Sequence, residues 1–314
     1  MRLPFNLRDA QQQALSFLVQ QTAVIETTVY KIKYPDIQYP SLVPVETSAP
    51  EWAKSTTYFS LDQFGRADWF NHQAHDIPLA DISREKFERG FEMAAIGYRY
   101  DLEELGQAMM LPGGGSLTTD KANAARRAYE EFIDDVALRG GSGKGWTGLM
   151  NDANVAVIHG TANGWTSATS VATIIAELNS AMSQMQSATL GVEMADTILF
   201  PIAIFNLLAG MPFNATAEIT VLEWFKRYNI YTMTTGLPVT VRVVRGLEVA
   251  GTSTLNRMVF YRNDPQVLKL HMPMPHRFLP VWQRAPLAFD VPGIFRTGGV
   301  EVRRPTAMRY LDGV

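Results

Sequence analysis

The sequence predicts an α+β fold organised around one long helix. Three stretches carry that expectation. They are a proline-spaced arm over residues 31–52, an aromatic β-hairpin that follows it, and a rod-like amphipathic helix ending at Gly140-Gly141. Strands and helices then alternate to the end of the chain.

Residues 8–30 read as an amphipathic helix, with Leu15, Leu18, Ile25 and Val29 in one stripe and glutamine-rich positions opposite. The next block carries Pro35, Pro40, Pro44 and Pro50. Each proline fixes its own φ and pushes its predecessor to extended geometry, so this is an extended arm and not a compact element. It also carries Tyr34, Ile37, Tyr39, Leu42 and Val43. A solvated linker has no need of so many apolar side chains. The arm is therefore expected to lie across its own domain or a neighbouring subunit.

Residues 55–100 read as a long β excursion. STTYFSLD and RADWFNHQ flank an expected turn at Gln63-Phe64-Gly65, where Gly65 can supply φ > 0. Tyr58, Phe59, Phe64, Trp69 and Phe70 make the hairpin aromatic. A lone hairpin is marginal in water, so these five residues are the candidate contact surface with another subunit. FERGFEMAAIGYRY reads as the returning strands. Asp101-Leu102-Glu103-Glu104 is a capping-box variant opening a short helix through Met110, which LPGGGS breaks.

The rod comes next. Ala125, Ala128, Phe132 and Val136 fall at helical spacing, with Tyr129 and Ile133 widening the stripe. The opposite face carries Lys121, Arg126, Arg127, Glu130, Glu131, Asp134 and Asp135. Thr119 is the expected N-cap, and Asp120 suits the dipole in the first turn. The GGSGKG segment after the rod looks like a phosphate cradle but fails as one. Gly145 follows Lys144 where Ser or Thr is required, Leu138 holds the first glycine position, and the segment follows a helix. It reads instead as a flexible glycine turn where the chain leaves the rod for another domain.

Beyond it, an Asn163-Gly164 turn and a second helix over residues 166–187 are expected. Val171, Ile174, Ile175, Leu178, Met182 and Met185 align on that helix, and a methionine stripe at this spacing is core. TILFPIA reads as a buried strand and ATAEITVLEWFKRYN as a helix capped by Asn214. PVTVRVVRGL, RMVFYR and VLKLHM read as strands. The tail is expected to hold two more strands around Gly298-Gly299.

The totals exclude several functions. The chain has 314 residues, room for two ordinary domains, and at 46% hydrophobic and 19% charged it is globular. A net charge of -3 argues against a protein built mainly to grip nucleic acid. With no cysteine, disulfides and thiolate chemistry are excluded. No apolar run approaches a membrane span, and the N-terminus lacks a signal-peptide core, so a protein made in the cytoplasm is expected.

Catalytic patterns are missing. His72, His75 and Asp76 form the one histidine cluster, but i, i+3 spacing on a strand or loop gives no fixed face for a metal, and the cluster reads as loop surface. Glu103-Glu104 and Asp134-Asp135 are adjacent pairs that point apart on a helix. No nucleophile, base and orienter assemble, so no catalytic, metal or cofactor site is expected. The last strands are basic: Lys269, Arg277, Arg284, Arg296, Arg303, Arg304 and Arg309 against Asp290 and Glu301. They read either as a solvated sheet face, as partners of rod acids such as Glu130 or Asp134, or as a surface facing polyanion.

The order of arm, aromatic hairpin, rod, mixed insertion and returning strands resembles the major capsid proteins of tailed phages with the Hong Kong 97 (HK97) type of fold, in the DUF2184-like branch. The resemblance rests on LSFLVQQTAVIETTVYKIKYPDIQYPSLVPVETSAPEWAKSTTYFSLDQFGRADW, DIPLADI, GYRYDLEELGQA, and DKANAARRAYEEFIDDVALRG followed by GLMN. It implies an N-terminal arm over 1–50 and an E-loop over 51–98 lying on an adjacent subunit. It implies a P-domain with the spine helix over 99–150 and 285–314, and an A-domain over 151–284. The implied role is a self-assembling icosahedral shell around double-stranded DNA, in the virion. Its partners would be copies of itself in hexamers and pentamers, a scaffolding, decoration or portal protein, and packaged DNA held without sequence preference. Relatives that cross-link use an E-loop lysine. Lys54 and Lys86 are available here, but no matching motif accompanies them. The chain begins almost at its arm, so either no scaffolding segment or a separate scaffolding protein is expected. Two rivals share the evidence: an encapsulin-like bacterial compartment, and a soluble metal-dependent enzyme using His72, His75 and Asp76.

Overall fold

A computed structural model describes residues 34–67, 69, 79–110, 117–160, 164–214, 216 and 218–314. The helix expected over 8–30, the LPGGGS break, Phe70, Asn163 and the His72, His75, Asp76 cluster lie outside the described residues. In chain order, the arm holds a short helix α1 (Tyr39–Leu42) and strand β1 (Val45–Glu46). The hairpin is β2 (Ser55–Phe64) with β3 (Asp81–Gly90). β4 (Glu92–Ala95), β5 (Tyr98–Asp101) and α2 (Leu102–Met110) lead to the rod α3 (Leu117–Arg139). Then come β6 (Val157–His159), α4 (Val171–Ala188), β7 (Thr197–Phe200), α5 (Ile202–Gly210), α6 (Val221–Tyr228), α7 (Ile230–Thr235) and β8 (Thr240–Val243). The last strands are β9 (Arg257–Tyr261), β10 (Leu268–His271), β11 (Met274–Phe278), β12 (Trp282–Ala285), β13 (Ala288–Val291), β14 (Gly293–Thr297), β15 (Gly299–Val302) and β16 (Met308–Asp312).

The core is a mixed five-stranded sheet in the order β6-β16-β9-β7-β8. β7 and β9 are buried at every position, as central strands covered on both faces must be. α4 lies on the sheet through Ile174, Leu178, Ala181, Met182 and Met185, and Ser170 caps it by accepting from the Thr173 N–H at 3.1 Å. Three smaller sheets, β1-β10-β15, β11-β14-β4 and β12-β13-β5, carry the rest of the body.

Several expectations change. Proline ends TILFPIA early: Pro201 caps α5, so Ile202 and Ala203 are helical. Thr220, not Asn214, caps α6, accepting from the Glu223 N–H at 3.3 Å, while Asn214 closes a local turn by accepting from Thr216. The tail holds four strands, β13 to β16, where two were expected. The arm is not extended throughout, since α1 makes one helical turn in it.

The rod runs for 23 residues, about 35 Å. Thr119 lies inside it, two residues past the first, so it is not the cap. The buried stripe is turned from the expected one: Ala125, Tyr129, Ile133, Val136 and Ala137 are covered, while Phe132 stays 47% exposed. The reason is Asp134, placed by pattern on the charged face but only 1% exposed. Its Oδ1 accepts from the Gln38 and Tyr39 N–H groups, both at 2.9 Å, and its Oδ2 from Arg245 at 2.9 Å. It thus takes the free amides at the start of α1, and the arm lies across its own chain. Leu42 and Val43 are buried there, Tyr261 donates to the Leu42 carbonyl at 2.7 Å, and β1 adds to β10 in parallel.

The segment after the rod is a built turn. Gly140 has φ 80°, and a Cβ there would meet the Trp146 carbonyl at 2.2 Å. The chain folds back so that Leu149 and Met150 donate to the Ala137 and Leu138 carbonyls at 2.9 and 3.0 Å, satisfying acceptors left over at the helix end.

A buried ion pair joins β9 to β16. Arg257 holds Asp312 with two contacts of 2.7 and 2.8 Å and also donates to the Met150 carbonyl at 2.7 Å. Burial pushes the Asp312 carboxyl up, but the Arg257 and Thr252 hydrogen bonds outweigh it and hold it below the usual range.

Two outcomes are expected. Asp134→Ala should destabilise the subunit by about 3 kcal/mol in chemical unfolding, because it strands the two amides that open α1 and removes the partner of the partly exposed Arg245. Asp312 contributes stability that is present above its unfolded pKa, about 3.9, and lost as pH falls through its lower folded value. Unfolding of Asp312→Asn should therefore depend less on pH below about 4 than unfolding of the unmodified chain.

Candidate subunit-contact surface

The hairpin is one uninterrupted antiparallel ladder, from Ser55↔Gly90 to Phe64↔Asp81. Ten residues a side make a ribbon about 33 Å long. Gln63 and Phe64, expected in the turn, are still strand and pair with Ile82 and Asp81. A Cβ on Gly65 would sit 2.8 Å from the Cβ of Ala80, so the two chains still run side by side there. The strand that pairs with β2 is therefore DISREKFERG, and the described residues of RADWFNHQ, Arg66, Ala67 and Trp69, lie outside any strand.

Opposed residues share a face. One face carries Tyr58 with Phe87, then Ser60 with Glu85, Asp62 with Ser83, and Phe64 with Asp81. The other carries Phe59 with Lys86, Leu61 with Arg84, and Gln63 with Ile82. At the root the first face turns towards the body: Tyr58 stacks on Phe87 at 5.1 Å, and the Arg303 guanidinium lies 4.1 Å from the Tyr58 ring centre. Burial there raises the Tyr58 hydroxyl pKa. Further out the ribbon is bare. Phe59 is 66% exposed and Phe64 54%, and Leu61 and Ile82 are about half exposed.

Of the five expected contact residues, Tyr58 is thus half covered by its own chain, and Phe59 and Phe64 point to opposite faces. Trp69 is fully exposed beyond the strands, and Phe70 lies outside the described residues. The ribbon also exposes Leu61, Ile82 and Phe87; of these, Ile82 sits on the part of β3 ahead of FERG that the sequence pattern does not mark as strand.

Arginines fix the root. Arg89 reaches from β3 to the Gly298 and Val300 carbonyls at 2.7 and 2.9 Å. Arg296 reaches from β14 to the Glu51 carbonyl at 2.9 Å and the Phe91 carbonyl at 3.4 Å, the two feet of the hairpin. Arg277 pairs with the Glu51 carboxylate at 2.9 Å. Beneath them, the buried Glu301 carboxylate lies 2.9 Å from His271 and 3.0 Å from Arg303. Burial raises its pKa, and these two hydrogen bonds more than offset that, leaving it lowered.

The basic tail is therefore not one surface facing polyanion. Arg296 and Arg309 are buried and donate to carbonyls, Arg303 pairs with Glu301, Arg304 with Glu193, and Lys269 with Glu46. The rod acids take other partners: Glu130 accepts from the Tyr39 hydroxyl, and Asp134 from Arg245. Arg89→Ala should raise amide exchange in the hairpin root about 30-fold relative to the body, the value of about 2 kcal/mol of lost charge-assisted bonding. Unchanged exchange there would mean that packing alone holds the hairpin.

A family model described as major capsid protein matches residues 65–314. No curated protein matches the chain. Among solved structures, the capsid of Myoviridae phage XM1 aligns with a TM-score of 0.78 at 18% identity, over 94% of this chain and 98% of that one. A chain of Mycobacterium phage Bobi aligns at 0.64 and 12% identity, over 96% and 97%. A chain of the capsid of an empty GTA particle aligns at 0.60 and 11% identity, over 92% and 94%. At such identities the likeness is one of fold.

Proposed function

The chain belongs to the major capsid protein family and has the α+β, Hong Kong 97 type of fold, and from that premise we propose how it builds a shell. Its role is structural, and its place is the capsid of a virion. In our reading, copies assemble as hexamers and pentamers into the icosahedral head of a tailed phage around double-stranded DNA, with synthesis in the host cytoplasm. Scaffolding, decoration or portal proteins would act beside them. The observation that carries this reading is the ribbon itself: a two-stranded hairpin with exposed aromatic residues that the described chain does not cover.

The division follows the same logic. Residues 1–50 serve as the N-terminal arm, 51–98 as the E-loop, 99–150 and 285–314 as the P-domain around the rod, and 151–284 as the A-domain. β16 returns into the A-domain sheet, where it lies between β6 and β9. In this reading Tyr58, Phe59, Phe64, Trp69 and Phe70 are the residues that contact the adjacent subunit. Packaged DNA is held by enclosure rather than adhesion, since the chain carries a net charge of -3 and most of its late arginines already have partners.

Negative-stain microscopy of the purified protein should show closed shells, and replacing residues 60–85 with a short turn should leave a folded subunit that forms none. Normal shells from the shortened chain would remove the ribbon from assembly. Bound metal lost on alanine substitution of His72 and His75, with discrete monomers throughout, would favour the enzyme reading.

A further inference from the structure

The two long edges of the ribbon differ. Phe91 donates its N–H to the Lys54 carbonyl at 2.8 Å, one step below the Ser55↔Gly90 pair. Antiparallel ladders alternate, so Tyr58, Ser60, Asp62 and Phe64 turn their backbone groups inward to β3. Thr57, Phe59, Leu61 and Gln63 then turn theirs outward along β2. On β3 the outward residues are Ile82, Arg84, Lys86 and Glu88. No third strand among the described residues joins either edge.

Natural sheets defend open edges with charge, bulges or proline. The β3 edge has Arg84, Lys86 and Glu88 among its four outward residues. The β2 edge carries no charge at its outward positions, has no proline and keeps a regular register. Its outward residues also include Phe59 and Leu61, both exposed. Backbone donors, acceptors and apolar side chains thus converge on one edge of one strand.

We propose that the outer edge of β2 is a strand-addition site for a second copy of this chain, with one extended segment of that copy forming the third strand of the ribbon. This rests on the shell reading above and specifies its chemistry: main-chain hydrogen bonds fix the register, and the Phe59 ring covers the added strand. A second copy is the occupant because the ribbon extends beyond its own body and the family assembles from identical subunits. The charged β3 edge makes the addition one-sided, so each ribbon takes one strand and the contact does not propagate as an open stack.

Proline tests the backbone separately from the side chain. Proline at an outward position removes an N–H that the subunit's own ladder does not use. Leu61→Pro should keep the native circular dichroism and reduce shell yield at least tenfold, and Phe59→Pro should do the same. Leu61→Thr keeps the N–H and should still give shells, as should Lys86→Pro on the opposite edge. In the unmodified protein, exchange measured by mass spectrometry over residues 57–63 should slow at least tenfold on assembly. Normal shells from both β2 proline variants would overturn the proposal while leaving the shell reading standing. Equal failure of Leu61→Thr would overturn it in favour of side-chain packing alone. Equal failure of Lys86→Pro would overturn it, because any bend in the ribbon would then suffice to block assembly. Loss of native structure in both β2 proline variants would mean that those amides are engaged within the subunit, which contradicts the premise. Unmodified protein that forms no shells would overturn the shell reading and the proposal together.

Discussion

One buried carboxylate holds three parts of this molecule together. Asp134 projects from the rod, takes the two amides that open α1, and neutralises Arg245 from the loop after β8. A charge at 1% exposure is tolerable only when it is paired and hydrogen-bonded, and here three donors, one of them a guanidinium, reach the two oxygens. The consequence reaches along the arm. With α1 fixed on the rod, Leu42 and Val43 reach the core, and β1 is placed to extend β10.

The same logic operates at the hairpin, with the signs reversed. There the buried groups are guanidinium ions and the acceptors are main-chain carbonyls. Arg89 and Arg296 cross between hairpin and body in opposite directions, so the ribbon is held from both sides. Body and ribbon therefore differ in kind. The body pairs most of its buried polar groups within itself, whereas the ribbon is anchored firmly and then left bare along its length.

That difference explains what the sequence revealed. The rod and α4 were legible because each buries one stripe over many turns, and helical periodicity survives small errors of phase. The phase itself was misjudged at Phe132 and Asp134, since a buried carboxylate with distant partners looks like a solvated one. The part of the return strand β3 ahead of FERG was illegible for a deeper reason. Neither of its faces is covered by a core, so no alternation of apolar and polar residues was imposed on DISREKFERG. The basic tail misled because charge was counted locally. Its partners Glu46, Glu51 and Glu193 lie far back in the chain, and only the fold brings them together. The exposed ribbon was marked by its aromatic content, but its geometry depends on register, which composition does not carry.

The arginine anchors also order events in time. Glu51 and Phe91 leave the ribosome early, whereas Arg296, Gly298 and Val300 follow more than two hundred residues later, at separations of 205 to 245. Until those late residues emerge, the ribbon has no fixed root and no defined direction. A nascent chain can display the apolar side chains of Phe59 and Leu61, but it cannot present them at a set angle. Binding an unanchored ribbon must also meet the entropy of ordering it, so association is weakest while the chain is incomplete. Completion of the chain is thus a condition for a fixed ribbon root, set by sequence separation.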